Sequence, residues 1–294
     1  MTCKLQCRRR APQRAQRACT SRAGRPHYIP SMQAWDADPF FQYPRTSVAT
    51  SAGEVQLPIL YYDDSQCMGI FLVEHAVAQA MVEAEGLDAV RVAGGSALAG
   101  VAFYEYRQTS IGNYNEVGVA IAVVPRGTPV PRLPALDMVR SLDKARVGFF
   151  ILDLPVTTAI ACAAGRELWG YPKFVTPIRV TLDGSHFRGG VSDPAGGGDI
   201  VTMIGNAGAA MPSPLLNLVL FSRHEGALLR TLVQTRGGGR VALPGSIKLT
   251  VGPSSHPMAH RLRQLGLDGA SPAVVMYSER LQLRLNAGAP LPHE

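Results

Sequence analysis

One lysine in this sequence lies on a connector that could keep its amine uncharged. Lys173 follows Gly170, Tyr171 and Pro172 and precedes Phe174. Gly170 is a plausible helix end, since glycine takes the left-handed cap conformation without steric cost. Pro172 fixes its own φ and biases the residue before it towards an extended backbone. An amine held among aromatic and proline side chains is a candidate nucleophile. The alternative is that Lys173 begins a strand and reaches solvent.

One glutamate lies in a segment with strand alternation. Val117, Val119 and Ile121 occupy every second position after Glu116. The pattern predicts a strand over residues 114–124, with Glu116 on the face opposite to these apolar side chains. If that face is exposed, Glu116 is an ordinary surface acid. If it faces an interior cavity, the carboxyl group is costly unless it is hydrogen-bonded or protonated.

The other candidate sites are weaker. His256 and His260 are four residues apart, as zinc ligands on one helical face are, but Pro257 stands where the metallopeptidase motif needs a glutamate. No third ligand is apparent. The glycine clusters at 196–198 and 237–239 lack the Lys-Ser or Lys-Thr of a phosphate loop, so hairpin turns are predicted there. We therefore expect no metal ion and no cofactor.

Three short helices are predicted to support these residues. A run of small residues over 157–164 favours a helix packed closely against a sheet, directly before the lysine connector. Another helix is predicted near 258–265. The third has an apolar face between Val73 and Ala84, and the oxygen-bearing side chains at 63–65 are candidate N-terminal caps for it.

Many short strands with glycine turns and few helices are typical of an antiparallel barrel or sandwich. We find no internal repeat and no domain boundary after residue 53. Residues 27–294 are therefore predicted to form one mainly β domain of the α+β class, with an ordered but irregular arm at 27–53. The predicted strands cover residues 55–62, 89–92, 98–107, 114–124, 147–152, 178–182, 186–191, 200–204, 215–220, 227–234, 247–251, 273–277 and 280–285.

The net charge of +7 comes from one end of the chain. Residues 1–26 hold eight basic residues and no acid, so 21 basic residues face 22 acidic ones in the remainder. The remainder of the chain therefore has no excess of basic residues that would indicate nucleic-acid binding. The tail is predicted to be a disordered extension, with a transit sequence or an interaction arm as alternatives. No apolar run approaches the ~20 residues that span a membrane. Only two of the five cysteines lie outside the tail, which favours a cytoplasmic protein without disulfides.

Three segments together resemble the acetoacetate decarboxylase superfamily. They are Pro58-Ile59-Leu60-Tyr61-Tyr62-Asp63, then Tyr104-Glu105-Tyr106 leading into Ser110–Ile121 with Tyr114 and Glu116, and finally Gly165-Arg166-Glu167-Leu168 followed by Tyr171-Pro172-Lys173. The resemblance covers roughly residues 55–185. It implies a closed, largely antiparallel β-barrel with helices at its edge and, by analogy, a homo-oligomer.

The resemblance also implies a mechanism. In the family, the lysine that matches Lys173 attacks a ketone and forms an imine, and a glutamate that matches Glu116 lies in the same pocket. The protonated imine accepts electrons, so a β-keto acid loses carbon dioxide without a cofactor. An activated lysine is characteristic of that family, so this part of the hypothesis comes from the resemblance. The substrate contacts are predicted to come from Arg166, Tyr114, Tyr171 and Phe174.

This chain departs from the family pattern in two places. The decarboxylases carry a second lysine where Phe174 stands, and an arginine just before the segment that matches Ile59, where this chain has Gly53-Glu54-Val55-Gln56. A second cation ~6 Å away would disfavour the ammonium by about 2.8 kcal/mol at an effective dielectric constant of ~20. Burial alone can have an effect at least as large. The missing lysine therefore does not exclude an imine.

The sequence thus predicts a lyase that forms a Schiff base with a small keto acid, by default a carboxy-lyase acting on a β-keto acid such as acetoacetate. Because the second lysine and the arginine are both absent, an aldolase-dehydratase that uses the same lysine on pyruvate-like keto acids is an alternative. The alternative from another class is a non-catalytic barrel that binds a hydrophobic ligand.

Overall fold

A computed structural model of the chain describes Trp35, residues 37–134, Asp137 and residues 140–291. Within them the helices are α1 (His75–Val82), α2 (Ala159–Trp169) and α3 (Pro257–Gln264). The strands are β1 (Thr46–Thr50), β2 (Gly53–Leu57), β3 (Ile59–Glu74), β4 (Leu87–Ala89), β5 (Ser96–Thr109), β6 (Tyr114–Pro125), β7 (Gly148–Asp153), β8 (Ile178–Asp183), β9 (His186–Ser192), β10 (Asp199–Asn206), β11 (Ala210–Ser213), β12 (Leu218–His224), β13 (Ala227–Ala242), β14 (Lys248–Val251), β15 (Val274–Leu285) and β16 (Ala289–Pro290).

Seven of the described strands close into a barrel. Their order around the ring is β13, β12, β7, β6, β5, β3 and β15, and β15 pairs with β13 to complete it. All neighbours are antiparallel except β7 and β12, which are parallel. Parallel neighbours need a crossover, and here the chain between them forms α2 and strands β8 to β11. The predicted closed, mainly antiparallel barrel with a few peripheral helices is confirmed, apart from that parallel pair.

The barrel wall separates two hydrophobic cores. Val117, Val119 and Ile121 face outward and pack with a four-stranded sheet of order β14-β10-β9-β8 and with α1 and α3. Alternate residues of the same strand face inward, where a second core contains Ala120 and the α2 residue Trp169. Because side chains alternate along a strand, the residues of β6 that lie between these outward-facing apolar residues must face the barrel interior.

Two local predictions were wrong, because the strands concerned are longer than their sequence patterns indicated. Residues 63–65 do not cap a helix but lie within β3, and α1 begins only at His75. Strand β3 is paired on both sides, so its ladders satisfy the backbone groups that a local cap would otherwise use. Residues 237–239 are no hairpin turn but lie inside β13. A Cβ at Gly237 would lie 1.9 Å from the Arg280 carbonyl oxygen, so glycine there permits close strand pairing.

The N-terminal region is more regular than expected where it is described. The arm predicted to be irregular over 27–53 includes β1, which forms a hairpin with β2, and the Ser51 backbone N–H donates to the Glu167 carboxylate on α2 at 3.0 Å. The predicted basic tail at 1–26 lies outside the described residues. Within the described part of the chain, the helices are all too short or too polar to cross a bilayer. The cytoplasmic location and the homo-oligomer stay predictions.

Candidate active site

The connector after α2 holds Lys173 across from the start of β6. Helix α2 ends at Gly170, whose φ is 67°, in the left-handed conformation that the sequence predicted for a glycine cap. The extended residues that follow lie beside the segment after β7, and the Val156 N–H donates to the Phe174 carbonyl oxygen at 2.9 Å. Val156 also forms bridges to Glu116 on one side and to Val175 on the other. Backbone pairing therefore fixes the distance between the lysine connector and Glu116.

The Lys173 amine and the Glu116 carboxylate form a buried ion pair. Lys173 Nζ lies 2.6 Å from Glu116 Oε2, and the two residues are 6% and 8% exposed. The Tyr106 hydroxyl donates to Glu116 Oε1 at 3.3 Å, and Lys173 Nζ lies 5.9 Å from the centre of the Tyr114 ring. A charge-assisted hydrogen bond of this length lets a proton move directly between nitrogen and oxygen.

Gly165 makes room for the lysine side chain. A Cβ at Gly165 in α2 would lie 2.4 Å from both Cδ and Cε of Lys173. That separation is far below van der Waals contact, so the lysine stem passes directly over the α2 backbone at this residue. The glycine that opens the Gly-Arg-Glu-Leu motif is therefore required by packing against the lysine.

A cavity of about 100 Å³ occupies the barrel interior beside this ion pair. Its wall comes from all seven barrel strands, together with Leu154 and the lysine connector, and most of it is apolar. The polar side chains in the wall are Tyr61, Tyr104, Tyr106, Glu116, Tyr171 and Lys173. A small molecule in this cavity can therefore contact the amine, the carboxylate and several phenol hydroxyl groups at once.

The phenol groups form a packed cluster around Glu116. The Tyr61 and Tyr114 hydroxyls are 3.0 Å apart, and the Tyr106 ring centre lies 4.6 and 4.7 Å from those of Tyr61 and Tyr114. Burial raises the pKa of all three phenols well above its usual value, and the negative charge of Glu116 raises it further. Burial likewise raises the pKa of Tyr104. These hydroxyls therefore keep their protons and act as neutral hydrogen-bond donors.

The structure brings together only part of the predicted substrate-binding set. Tyr171 lines the cavity and stacks on Trp169, and Tyr114 lies against Lys173. Arg166, which was predicted to bind substrate, is exposed and donates to the Lys173 carbonyl oxygen at 3.2 Å on the outer side of the connector. Phe174 also faces away from the barrel interior.

Phe174 points outward because it follows Lys173 in an extended segment, where successive side chains alternate. Its ring packs against His256 at a centroid distance of 4.5 Å. The cavity wall also contains Tyr61, Tyr104 and Tyr106, for which no role was predicted. The signal for two of them was present, since Tyr104 and Tyr106 alternate on a strand that pairs with the Glu116 strand in register.

The family model described as acetoacetate decarboxylase (ADC) matches residues 43–270. The chain belongs to the acetoacetate decarboxylase family. Solved structures with the same fold include acetoacetate decarboxylase from Legionella pneumophila, which is 14% identical over 92% of this chain and 98% of that chain, with a TM-score of 0.56. No curated protein sequence matches the chain.

Two other solved structures have the same fold. The enduracididine biosynthesis enzyme MppR, in complex with pyruvate, is 12% identical over 85% of this chain and 99% of that chain, with a TM-score of 0.55. An acetoacetate decarboxylase-like enzyme from Sphingomonas wittichii RW1 is 15% identical over 92% of this chain and 100% of that chain, with a TM-score of 0.53. At these identities the likeness concerns the fold.

In this acetoacetate decarboxylase family member, a second carboxylic acid is buried in the barrel. Asp64 on β3 pairs with Tyr106, whose side chain lines the cavity, so Asp64 shares the inward face. The residue is fully buried, and neither carboxyl oxygen has a hydrogen-bond partner among the described residues. Burial raises the pKa of Asp64 well above its usual value, and the nearby Asp63 adds to the shift. Burial therefore favours the neutral, protonated form of the Asp64 carboxyl group.

We expect Asp64→Asn to stabilise the protein at neutral pH. Between the unfolded-state pKa of about 3.9 and the raised folded-state pKa, folding takes up a proton, so the contribution of Asp64 to stability falls as pH rises. Each unit of upward shift costs about 1.4 kcal/mol at a pH above the folded-state pKa. Asparagine is uncharged and avoids that cost. The free energy of unfolding is measured for both proteins between pH 4 and 8. The gain of Asp64→Asn over the wild-type protein should be largest near pH 8.

Asp183→Asn is the matched control, since Asp183 is exposed on β8. It should leave the pH dependence of stability unchanged. Equal stability of the wild-type protein and Asp64→Asn at every pH would contradict a raised pKa of the buried Asp64 carboxyl group.

Proposed function

We propose that the protein is a cofactor-independent lyase that forms a Schiff base with a keto acid through Lys173 and, by default, decarboxylates a β-keto acid. The observation that carries the proposal is the buried Lys173 amine, which lies 2.6 Å from Glu116 Oε2 at the wall of an interior cavity. A lysine is rarely buried without a partner or a function. Membership of the acetoacetate decarboxylase family supports the same chemistry.

The ion pair supplies the nucleophile. Transfer of one proton from Lys173 Nζ to Glu116 Oε2 converts the pair into a neutral amine and a neutral carboxylic acid. The amine attacks the ketone carbon of the substrate, and a proton moves from the nitrogen to the former ketone oxygen as the carbinolamine forms. Glu116 then returns its proton to the carbinolamine hydroxyl, which leaves as water. The product is a protonated imine on Lys173.

The protonated imine makes decarboxylation possible. The bond between the α-carbon and the carboxylate breaks, its electron pair moves towards the imine nitrogen, and carbon dioxide leaves an enamine behind. The α-carbon is then protonated, and water hydrolyses the new imine to release the ketone and Lys173. One proton is consumed for each carbon dioxide released. Glu116 and the hydroxyl of Tyr106 are the proton-bearing groups beside the amine.

Borohydride reduction tests the proposal. With acetoacetate present, reduction should add the mass of the reduced adduct to a single peptide that contains Lys173, and the wild-type protein should release carbon dioxide. Adduct formation at other lysines, or none at all, would favour a non-catalytic barrel that binds a hydrophobic ligand.

A second candidate reaction is aldol condensation followed by dehydration of a pyruvate-like keto acid. The departure at Phe174 favours this candidate, because it removes the second cation of the decarboxylases. The fold shared with MppR, which was solved with pyruvate, is consistent with it. Pyruvate with an aldehyde should then give an unsaturated product, detected by its ultraviolet absorbance, while acetoacetate releases little carbon dioxide. The opposite pattern supports decarboxylation.

Glu116→Gln is expected to lower turnover by about 10²- to 10⁴-fold, the range typical of a lost general acid–base group. Glutamine keeps the shape and can accept a hydrogen bond from Lys173, but it cannot take the proton. The rate of borohydride-trapped adduct formation at Lys173 should fall with the turnover. Glu74→Gln, at an exposed residue at the far end of β3, is the control and should turn over normally. Full turnover by Glu116→Gln would remove the proton-handling role.

A further inference from the structure

We propose that the substrate is a β-keto acid whose ketone carbon carries an apolar chain of several carbon atoms, and that this chain lies in the barrel interior. The inference rests on the proposed function and names its substrate class. It is carried by the charge of the cavity wall, by the chemistry of the remaining wall, and by the small residues that keep the barrel interior open.

The cavity wall offers no free cation for a second anionic group on the substrate. Among the described residues that line it, the charged side chains are Lys173 and Glu116, and they neutralise each other at 2.6 Å. Arg166 lies on the outer side of the connector. An unpaired carboxylate in this interior would lose its hydration without compensation. A substrate with an ionic group remote from the reacting ketone is therefore disfavoured.

The wall is apolar away from the lysine. Larger apolar side chains come from β7, β12, β13 and β15, and include Phe149, Ile151, Leu220, Val233 and Leu283. The polar part consists of the ion pair and the tyrosine hydroxyls. Hydroxyls that keep their protons can donate to the carboxylate that is lost in the reaction. The cavity wall therefore fits a substrate that has one polar, reacting end and one apolar chain.

Small residues on two adjacent strands keep this interior from being filled. Gly100 pairs with Ala120 and Ala102 pairs with Gly118, and all four line the cavity. A Cβ at Gly118 would meet its nearest neighbour, Leu154, at 3.5 Å, which is ordinary contact, so packing alone does not require glycine there. These four small residues leave open the volume that leucine or valine side chains would fill in a solid barrel core.

A chain-length series tests the inference on the wild-type protein. Carbon dioxide release is measured with acetoacetate, 3-oxohexanoate and 3-oxooctanoate, and kcat/KM should rise roughly fourfold for each added methylene group. In the matched pair of 3-oxohexanoate and 3-oxoadipate, the terminal carboxylate should lower kcat/KM by at least about 100-fold, since a buried anion there has no partner. A flat or falling series, or equal rates for the pair, would overturn the inference.

A variant that fills the interior gives an independent test. Ala102→Leu should lower the ratio of kcat/KM for 3-oxooctanoate to that for acetoacetate by at least about tenfold, whereas Ala49→Leu, on the exposed side of β1, should leave the ratio unchanged. An unchanged ratio in folded Ala102→Leu would count against the proposal. If thermal unfolding shows that this variant does not fold, the comparison of 3-oxohexanoate with 3-oxoadipate on the wild-type protein tests the proposal instead.

Borohydride trapping separates this inference from the proposed function. An adduct at Lys173 with acetoacetate, together with no preference for longer chains, would overturn the apolar-chain inference and leave the Schiff-base proposal standing. An absence of adduct with every keto acid in the series would overturn both.

Discussion

Lys173→Met is expected to reduce turnover by on the order of 10⁴-fold or more, the scale of losing an essential nucleophile. Methionine fills most of the lysine volume but cannot form an imine, so borohydride should no longer attach substrate to the protein. The measurement is carbon dioxide release together with intact-mass analysis after reduction. Turnover within tenfold of the wild-type rate would remove Lys173 from the mechanism.

Loss of turnover must be separated from loss of folding in this variant. Removing one partner of a buried ion pair costs about 3–5 kcal/mol, because Glu116 is then buried without its cation. The double variant Lys173→Met with Glu116→Gln carries no unpaired charge and should unfold closer to the wild-type temperature while staying inactive. Lys248→Met, at an exposed residue of β14, is the matched control and should keep full activity.

Gly165→Ala is expected to lower turnover by at least about 100-fold, since displacement of a reacting group by about 1 Å has that effect. The new methyl group would lie 2.4 Å from Cδ and Cε of Lys173, so the lysine side chain must move away from Glu116. In an ordinary helix the same change stabilises the protein by up to about 1 kcal/mol. Here activity and the rate of adduct formation at Lys173 should fall while α2 stays folded.

Gly238→Ala provides the comparison for the added methyl group. A Cβ at Gly238 in β13 meets nothing within 4 Å, so activity should stay at the wild-type level. If Gly165→Ala also turned over normally, the lysine stem would have enough freedom to move aside, and the tight packing over α2 would not be needed for function.

Predictions from local sequence were correct where a single residue sets the backbone conformation or where one strand shows clear alternation. Glycine at 170 ends α2 in the left-handed conformation, as its lack of a Cβ predicts. Along β6, the apolar residues at 117, 119 and 121 face the outer core, so Glu116 faces the interior. The pattern left open whether that face met solvent or a cavity, and only the closed barrel made it a cavity.

Local rules failed where a partner strand supplies what the local sequence does not show. Asp64 was predicted as part of a helix cap, yet ladders on both sides of β3 place it in the barrel. Arg166 was predicted to bind substrate. In the structure, Gly165 rather than Arg166 contacts the lysine stem, because Arg166 lies on the exposed side of α2.

Local sequence patterns are sufficient to predict the lysine connector, the strand that carries Glu116 and the mainly β class of the fold. These features depend on residues within a few positions of one another, through backbone φ preferences and side-chain alternation. Only the closed barrel brings the amine to the carboxylate, places Tyr61, Tyr104 and Tyr106 beside them, and leaves the described cavity wall without an arginine. Those facts depend on which strands pair when the barrel closes, and the ion pair itself joins residues 57 positions apart, a separation that leaves no local pattern in the chain.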